Sequence, residues 1–412
     1  MPDSGIPLPE RMRPRDLSQY VGQRHLVGPG CILRNMIDSG NLSSFILWGP
    51  PGVGKTTLAS IIAHTLEREF YTLSAVSSGV KDVRDVIDKA KNKSLFSSAA
   101  APVLFIDEIH KYRRWSLEIK EIYDLYKELH IILSGSSLIQ INDGETDLSR
   151  RMLSYDLPGL SLREYINLKE NVKIESTSLS SLLSHPNEYC SYVKQVCHPL
   201  EHFSQYLQKG YYPYLFEGEN SYYDRIENVI NYVIDVELTK YRGLEIGNTR
   251  NIKALLQVIT QMVPYEVDIA KLSRAIGISR TSTLRYLRYL EECCLVIRLF
   301  SDLKTITDLQ KPDKIYLDNT NLLFSIGLQQ PDTGTIRETF FANQVVSSSH
   351  YLEYAGYKKG DFKIDSEITV EVGGSDKDFE QISGQDNGYI AADNINSAIG
   401  KKIPLWAFGF LY

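Results

Sequence analysis

Gly49-Pro50-Pro51-Gly52-Val53-Gly54-Lys55-Thr56 places glycines, a lysine and a hydroxyl in the spacing G-x-x-x-x-G-K-[ST]. These residue types answer what a chain of phosphates needs: close backbone approach, several N–H donors and positive charge among oxygens that repel one another. Glycines let amides face the phosphates, Lys55 supplies a point charge for the β and γ oxygens, and Thr56 offers a hydroxyl to Mg²⁺. Thr57 continues the cradle into the following residues. The expected ligands are therefore ATP and Mg²⁺, with a glycine-rich structural turn as the plain alternative.

A phosphate loop of this kind calls for a carboxylate near the metal and a base for the attacking water. Val103-Leu104-Phe105-Ile106-Asp107-Glu108 offers both at the end of an apolar run. Asp107 is the expected metal partner and Glu108 the expected polariser of water. Ser136, in the loop after His130-Ile131-Ile132-Leu133, is either a sensor of the γ-phosphate or an ordinary loop serine. Arg150 is either a transition-state cation or half of a surface arginine pair with Arg151.

The elements that must position these groups follow from the apolar pattern. Ser44 to Trp48 reads as a buried strand, Thr57 to Ala63 as a helix, and Trp115 to Glu128 as a further helix before the His130 strand. Strand, loop, helix and acidic strand in this order predict an α/β P-loop NTPase, mainly a parallel sheet flanked by helices, over residues 1–165.

Composition suits such an enzyme. The 412 residues are 43% hydrophobic with a net charge of −6, which opposes coating nucleic acid by bulk charge and leaves only a local basic patch for that task. Cys31, Cys190, Cys197, Cys293 and Cys294 form no secreted-type framework, the first residues hold no apolar signal core, and no run is long enough to span a membrane. A cytoplasmic protein is expected.

Residues 166–262 read as a helical linker, 263–305 as a winged helix and 306–412 as a small α/β domain. In the linker, Tyr211, Tyr212, Tyr214, Tyr222 and Tyr223 crowd together, which suits helix packing better than stacking on bases. His185, Cys190, Cys197, His198 and His202 lack the paired spacing of a closed zinc site. In the winged helix, Ile269 to Ala275 and Thr281 to Glu291 form two helices around Gly277, with Ser279 as N-cap. Leu284, Leu287 and Leu290 share one face of the second helix, with Arg285, Arg288, Tyr286 and Tyr289 around the rest. That layout fits a recognition helix whose Arg285 and Arg288 contact DNA, or equally a lever packed on the ATPase.

Two resemblances overlay this reading. Pro9-Glu10-Arg11-Met12-Arg13-Pro14, Tyr20-Val21-Gly22-Gln23-Arg24-His25-Leu26, the phosphate loop, Ser74 to Lys81 and the Asp107 strand resemble the bacterial replication-associated recombination ATPases, which are clamp-loader-like AAA+ proteins. The resemblance implies ATP binding with the Gln23 region near adenine. From about Trp115 onward, through Gly159-Leu160-Ser161-Leu162-Arg163-Glu164-Tyr165, Gly210-Tyr211-Tyr212-Pro213 and Lys401 to Trp406, the chain resembles bacterial and archaeal P-loop ATPases with a winged helix and a restriction-endonuclease-like C-terminal domain. The chain is thus similar to a fusion joined at the acidic strand. The AAA+ lid and second sensor are not visible, which leaves oligomerisation open.

The C-terminal resemblance implies a metal site built from an acid on a helix, Glu338, and acids near two strands, Asp361 and Glu371. Its usual lysine, two residues past Glu371, is Gly373 here, and Lys377 lies further along. Cutting of nucleic acid is therefore not expected. Three functions remain: a DNA-associated ATPase, a nucleotide-regulated protein-interaction switch, and an ATP-gated metal-dependent nuclease.

Overall fold

The computed structural model describes residues 14, 16–17, 20, 22–50, 52–75, 85–86, 101–109, 115–127, 129–135, 148, 150–216, 218–239, 244–262, 265–301, 311–327, 330–356 and 359–412. The chain divides into two compact units, Met1–Gly159 and Leu160–Tyr412.

The first unit contains α1 (Arg24–Val27), α2 (Ile32–Ser39), β1 (Phe45–Trp48), α3 (Lys55–Thr65), β2 (Phe70–Ser74), β3 (Val103–Asp107), α4 (Trp115–Leu125), β4 (His130–Gly135) and β5 (Leu153–Asp156). Its strands form one parallel sheet in the order β2-β3-β4-β1-β5. The continuous apolar runs have a direct cause, since both faces are covered. Phe45, Leu47, Phe105 and Ile132 join a core with Leu58 and Ile62 of α3. Their neighbours Ile46, Leu104, Ile106, Ile131 and Leu133 point the other way, toward Trp115, Ile119 and Ile122 of α4. This is the P-loop NTPase architecture, with β4 inserted between the loop strand β1 and the acidic strand β3.

The second unit begins with α5 (Leu162–Glu170), opened by a capping box between Ser161 and Glu164. Helices α6 (Leu179–Ser184), α7 (Pro186–Val196), α8 (Pro199–Lys209) and α9 (Tyr222–Tyr232) follow, then α10 (Ile246–Met262). Asn321 ties this helical layer down, its Oδ1 accepting from the amides of Gly210 at 3.0 Å and Tyr211 at 2.8 Å and from the Tyr222 hydroxyl. Tyr211, Tyr212 and Tyr222 are buried, so these members of the aromatic cluster pack the helices. Cys190 is wholly buried and its thiol is pushed up to about 11 by burial. Among the described residues no group of three or more His, Cys, Asp or Glu is arranged to hold a metal.

Next come β6 (Tyr265–Glu266), α11 (Ile269–Ile276), α12 (Arg280–Glu292), β7 (Val296–Leu299) and β8 (Lys314–Leu317). Asp268 and Ser279 cap the two helices with their side chains. The three strands pair antiparallel in the order β6-β8-β7, so the sheet beside the helix pair draws its central strand from residues 314–317. After α13 (Thr320–Ile326) and α14 (Thr333–Ser347), strands β9 (Leu352–Tyr354), β10 (Phe362–Ile364), β11 (Ile368–Gly373), β12 (Gly388–Ala392) and β13 (Lys402–Pro404) form a five-stranded sheet in chain order. Its β9-β10-β11 half is antiparallel and its β11-β12-β13 half parallel. No helix among the described residues is long and apolar enough to cross a membrane.

Candidate nucleotide site and basic helix

The phosphate loop is held by backbone contacts that only glycine permits at its first position. Gly49 has φ 146°, and a Cβ there would meet the carbonyl oxygen of Leu157 at 2.2 Å. Leu157 is fixed by its own amide donating to Trp48 O at 2.8 Å, so the loop springs from the seam between β1 and the end of β5. Gly52 and Gly54 also take positive φ, at 84° and 94°, and Gly54 is the N-cap of α3. The amides at the start of α3 thus lie at a helix N-terminus, which favours anions. Pro50 and Val53 are buried, and Gly52 is exposed. Lys55, Thr56 and Thr57 form the first turn of α3. Pro51 lies outside the described residues.

Lys55 Nζ donates to the carbonyls of Gly49 at 2.8 Å and Pro50 at 2.9 Å, arching back over the loop. Thr56 Oγ1 donates to Asp107 Oδ2 at 3.1 Å. A hydroxyl and a carboxylate at that separation are hard oxygen donors on one point, and they fit Mg²⁺. The sheet order makes this contact informative. Asp107 reaches Thr56 although a whole strand separates β3 from β1.

That intervening strand contributes a residue which the sequence did not single out. Ser134, fully buried at the end of β4, donates its hydroxyl to Asp107 Oδ1 in a short hydrogen bond and accepts from the amide of Glu108 at 3.1 Å. Asp107 is therefore oriented from both sides, by Thr56 on one oxygen and Ser134 on the other. Glu108 itself has φ 53°, the left-handed region, which a non-glycine residue occupies at a cost of about 1 kcal/mol or more. Ser136 lies outside the described residues. Arg150 is exposed on the turn before β5, whereas its neighbour Arg151 forms a two-bond pair with Asp124 of α4, 2.9 Å at each contact. Gln23, 3% exposed, donates Nε2 to Pro158 O at 2.8 Å, which fixes the N-terminal segment against the end of β5.

On the second unit, α12 shows a divided surface. Leu287, Leu290 and Tyr286 are buried, and Tyr286 OH donates to Asn248 Oδ1 of α10 at 2.8 Å. Tyr286 thus belongs to the packed face rather than to the outer one, because α10 supplies a partner for its hydroxyl. Arg285 and Arg288 are exposed, as are Lys271, Arg274 and Arg280 on the same helix pair. Arg288 is paired with Glu292 at 2.7 Å.

Residues 42–166 match a family model described as an AAA domain, and residues 200–332 match one described as a domain of unknown function (DUF8612). Over 108 residues the chain is 48% identical to the replication-associated recombination protein A of Haemophilus influenzae, covering 26% of this chain and 24% of that protein. Over 116 residues it is 48% identical to the ATPase WRNIP1 of Dictyostelium discoideum, covering 28% of this chain and 13% of the relative. The chain thus spans a quarter or less of the length of these relatives. Among solved structures, a Holliday junction branch migration motor, RuvB of Thermotoga maritima, is 19% identical with a TM-score of 0.37, covering 70% of this chain and 93% of that one. A Walker-type ATPase of Pyrococcus abyssi is 11% identical with a TM-score of 0.43, covering 76% and 97%. Both structural likenesses are too loose to bear on function. The chain carries an AAA-type P-loop domain similar over about a quarter of its length to the replication-associated recombination proteins.

Proposed function

We propose that this chain is a Mg²⁺-dependent, cytoplasmic ATPase associated with DNA, whose nucleotide state is coupled to the helix pair α11–α12. The observation that carries the reading is the convergence of Thr56, Ser134 and Glu108 on Asp107 beside the phosphate loop. In this reading the amides of Gly49 to Thr57 hold the phosphates and Lys55 leaves its backbone acceptors for the β and γ oxygens. Thr56 and Asp107 would hold Mg²⁺, which when bound neutralises charge developing on the phosphates. Glu108 orients and polarises the attacking water, while Ser134 keeps the Asp107 carboxylate facing Thr56. Ser136 and Arg150 are the proposed sensor and transition-state cation.

The DNA part of the reading is supported by exposed Arg285 and Arg288 on α12 and by the similarity of the first quarter of the chain to replication-associated recombination protein A. Arg285, which among the described residues has no carboxylate neighbour of the kind Glu292 gives Arg288, is the stronger expected contact.

ATP turnover by the full chain, with and without single- and double-stranded DNA, tests the proposal. Turnover is expected to rise with DNA and to vanish in Lys55→Ala and Glu108→Gln. Failure of the wild type to bind ATP overturns it. Binding with turnover indifferent to DNA would instead identify a nucleotide-regulated protein-interaction switch.

A further inference from the structure

The C-terminal sheet brings together the acids that the restriction-endonuclease pattern would use for a metal, yet their partners are cations of the chain itself. Lys314 Nζ lies 3.4 Å from Glu338 Oε2 and 3.4 Å from Asp361 Oδ1. Tyr316 OH donates to Glu338 Oε2 at 2.6 Å, and the amide of Val372 donates to Asp361 Oδ2 at 2.9 Å. Lys377 Nζ pairs with Glu371 Oε1 at 2.5 Å, and Glu371 is only 2% exposed. Three carboxylates are thus met by two ammonium groups, a phenol and a backbone amide.

The origin of these partners matters as much as their charge. Lys314 and Tyr316 are alternate residues of β8, so they project from one face of the strand at the centre of the winged-helix sheet. The same strand thereby reaches α14 through Glu338 and the approach to β10 through Asp361. Tyr316 also packs on Phe362, with ring centroids 5.4 Å apart, and the amide of Tyr354 donates to Phe300 O at 2.9 Å just past β7.

Position 373 completes the picture. A Cβ on Gly373 would stand 2.8 Å from Lys377 Cβ and Cγ and 3.0 Å from its Cδ. The stem of Lys377 occupies the space over Gly373, so its ammonium serves Glu371 only because no side chain stands there. Mg²⁺ needs oxygens at about 2.0–2.1 Å in octahedral array. Here Lys314 stands between two of the three acids, and the residues do not fit the metal.

We infer that Glu338 and Asp361, bridged by Lys314, form an ion-pair latch that fastens the winged-helix sheet to the C-terminal sheet, while Lys377 neutralises Glu371 within the C-terminal sheet, and that these acids take no divalent metal. Winged helix and C-terminal sheet then move as one body, and the nuclease-like scaffold serves as a docking block. This inference is independent of whether the P-loop turns over ATP.

The test uses the full chain without nucleotide, melted in EDTA and then in millimolar Mn²⁺ at matched ionic strength. The wild type is expected to melt at the same temperature in both. Lys314→Met, which keeps the stem and removes the charge, is expected to melt roughly 10 °C lower, because it strands two largely but not wholly buried carboxylates. Lys314→Met combined with Glu338→Gln is expected to regain part of that loss, a recovery that mere loss of packing at residue 314 would not give. Amide exchange across 314–317 is expected to quicken in the single variant. A Mn²⁺-dependent rise in the wild type that Asp361→Asn abolishes would overturn the inference, as would Mn²⁺-dependent cutting of DNA lost in Glu371→Gln. These two results remain readable even if Lys314→Met does not fold.

Discussion

The phosphate loop of the first unit and the carboxylate cluster of the second place the same residue types, lysine and acid, near the ends of buried strands, and arrange them for opposite ends. At the loop, Lys55 is held by backbone carbonyls, which lose little when a phosphate draws it away, and Asp107 is met by two hydroxyls. In the cluster, Glu338, Asp361 and Glu371 are met by ammonium groups. A hydroxyl orients a carboxylate and leaves its charge available, whereas an ammonium cancels it. Acids of similar placement are therefore left available to a cation in one region and neutralised within the fold in the other.

The largest test of this contrast is Asp107→Asn. It is expected to lower ATP turnover by roughly 10²–10³-fold, read as steady-state phosphate release, and to leave melting of the second unit unchanged. A similarly severe loss of turnover in Asp361→Asn would erase the distinction. Ser134→Ala comes next, removing one hydrogen bond to a charged group. Turnover should fall roughly 10- to 100-fold while ATP affinity, read by equilibrium titration, holds. Equal loss of affinity and turnover would make Ser134 a packing residue only.

On the other side of the comparison, Gly373→Ala presses a methyl group on Lys377 and should cost about 1–3 kcal/mol in denaturant unfolding. Lys377→Gly in the same chain, which removes the Cβ at 2.8 Å as well as the stem, should make that methyl harmless. The smallest expected effect belongs to Asp318, an acid with no cation partner of the Lys314 kind among the described residues. Burial pushes its carboxyl up to about 6, opposed by hydrogen bonds from Asn319 and Tyr211. The fold therefore favours its protonated form, and stability from this group falls as pH rises from about 4 to about 6. Asp318→Asn should flatten that part of the stability–pH curve, by at most about 1 kcal/mol because the residue keeps some exposure that screens the charge. Unchanged curvature would assign the pH dependence elsewhere.

What the sequence makes legible follows from how local each interaction is. The loop, its flanking strand and helix, and the acidic run are short contiguous signals, and the caps Ser279 and Gly277 are read within one turn. Ser134 escaped because its role depends on strand order. It is the register partner of Leu47 on β1 and lies one residue beyond the Ile106–Leu133 pair with β3, so only the β3-β4-β1 arrangement sets it against Asp107. Tyr286 looked like an outer residue because helical spacing alone cannot show that α10 offers Asn248 to its hydroxyl. Glu338, Asp361, Glu371 and Lys377 were visible as a pattern, but Lys314 was not, since it comes from the central strand of a different sheet.

The space over Gly373 also constrains how this domain can change over generations. Placing a lysine at 373 while Lys377 keeps its course would force two stems into one volume, and removing Lys377 first would strand the buried Glu371. Each single step away from the present pair is unfavourable, so the nuclease pattern could be built here only by changing both positions together. The glycine and the lysine are thus mutually dependent, each tolerable only while the other keeps its place.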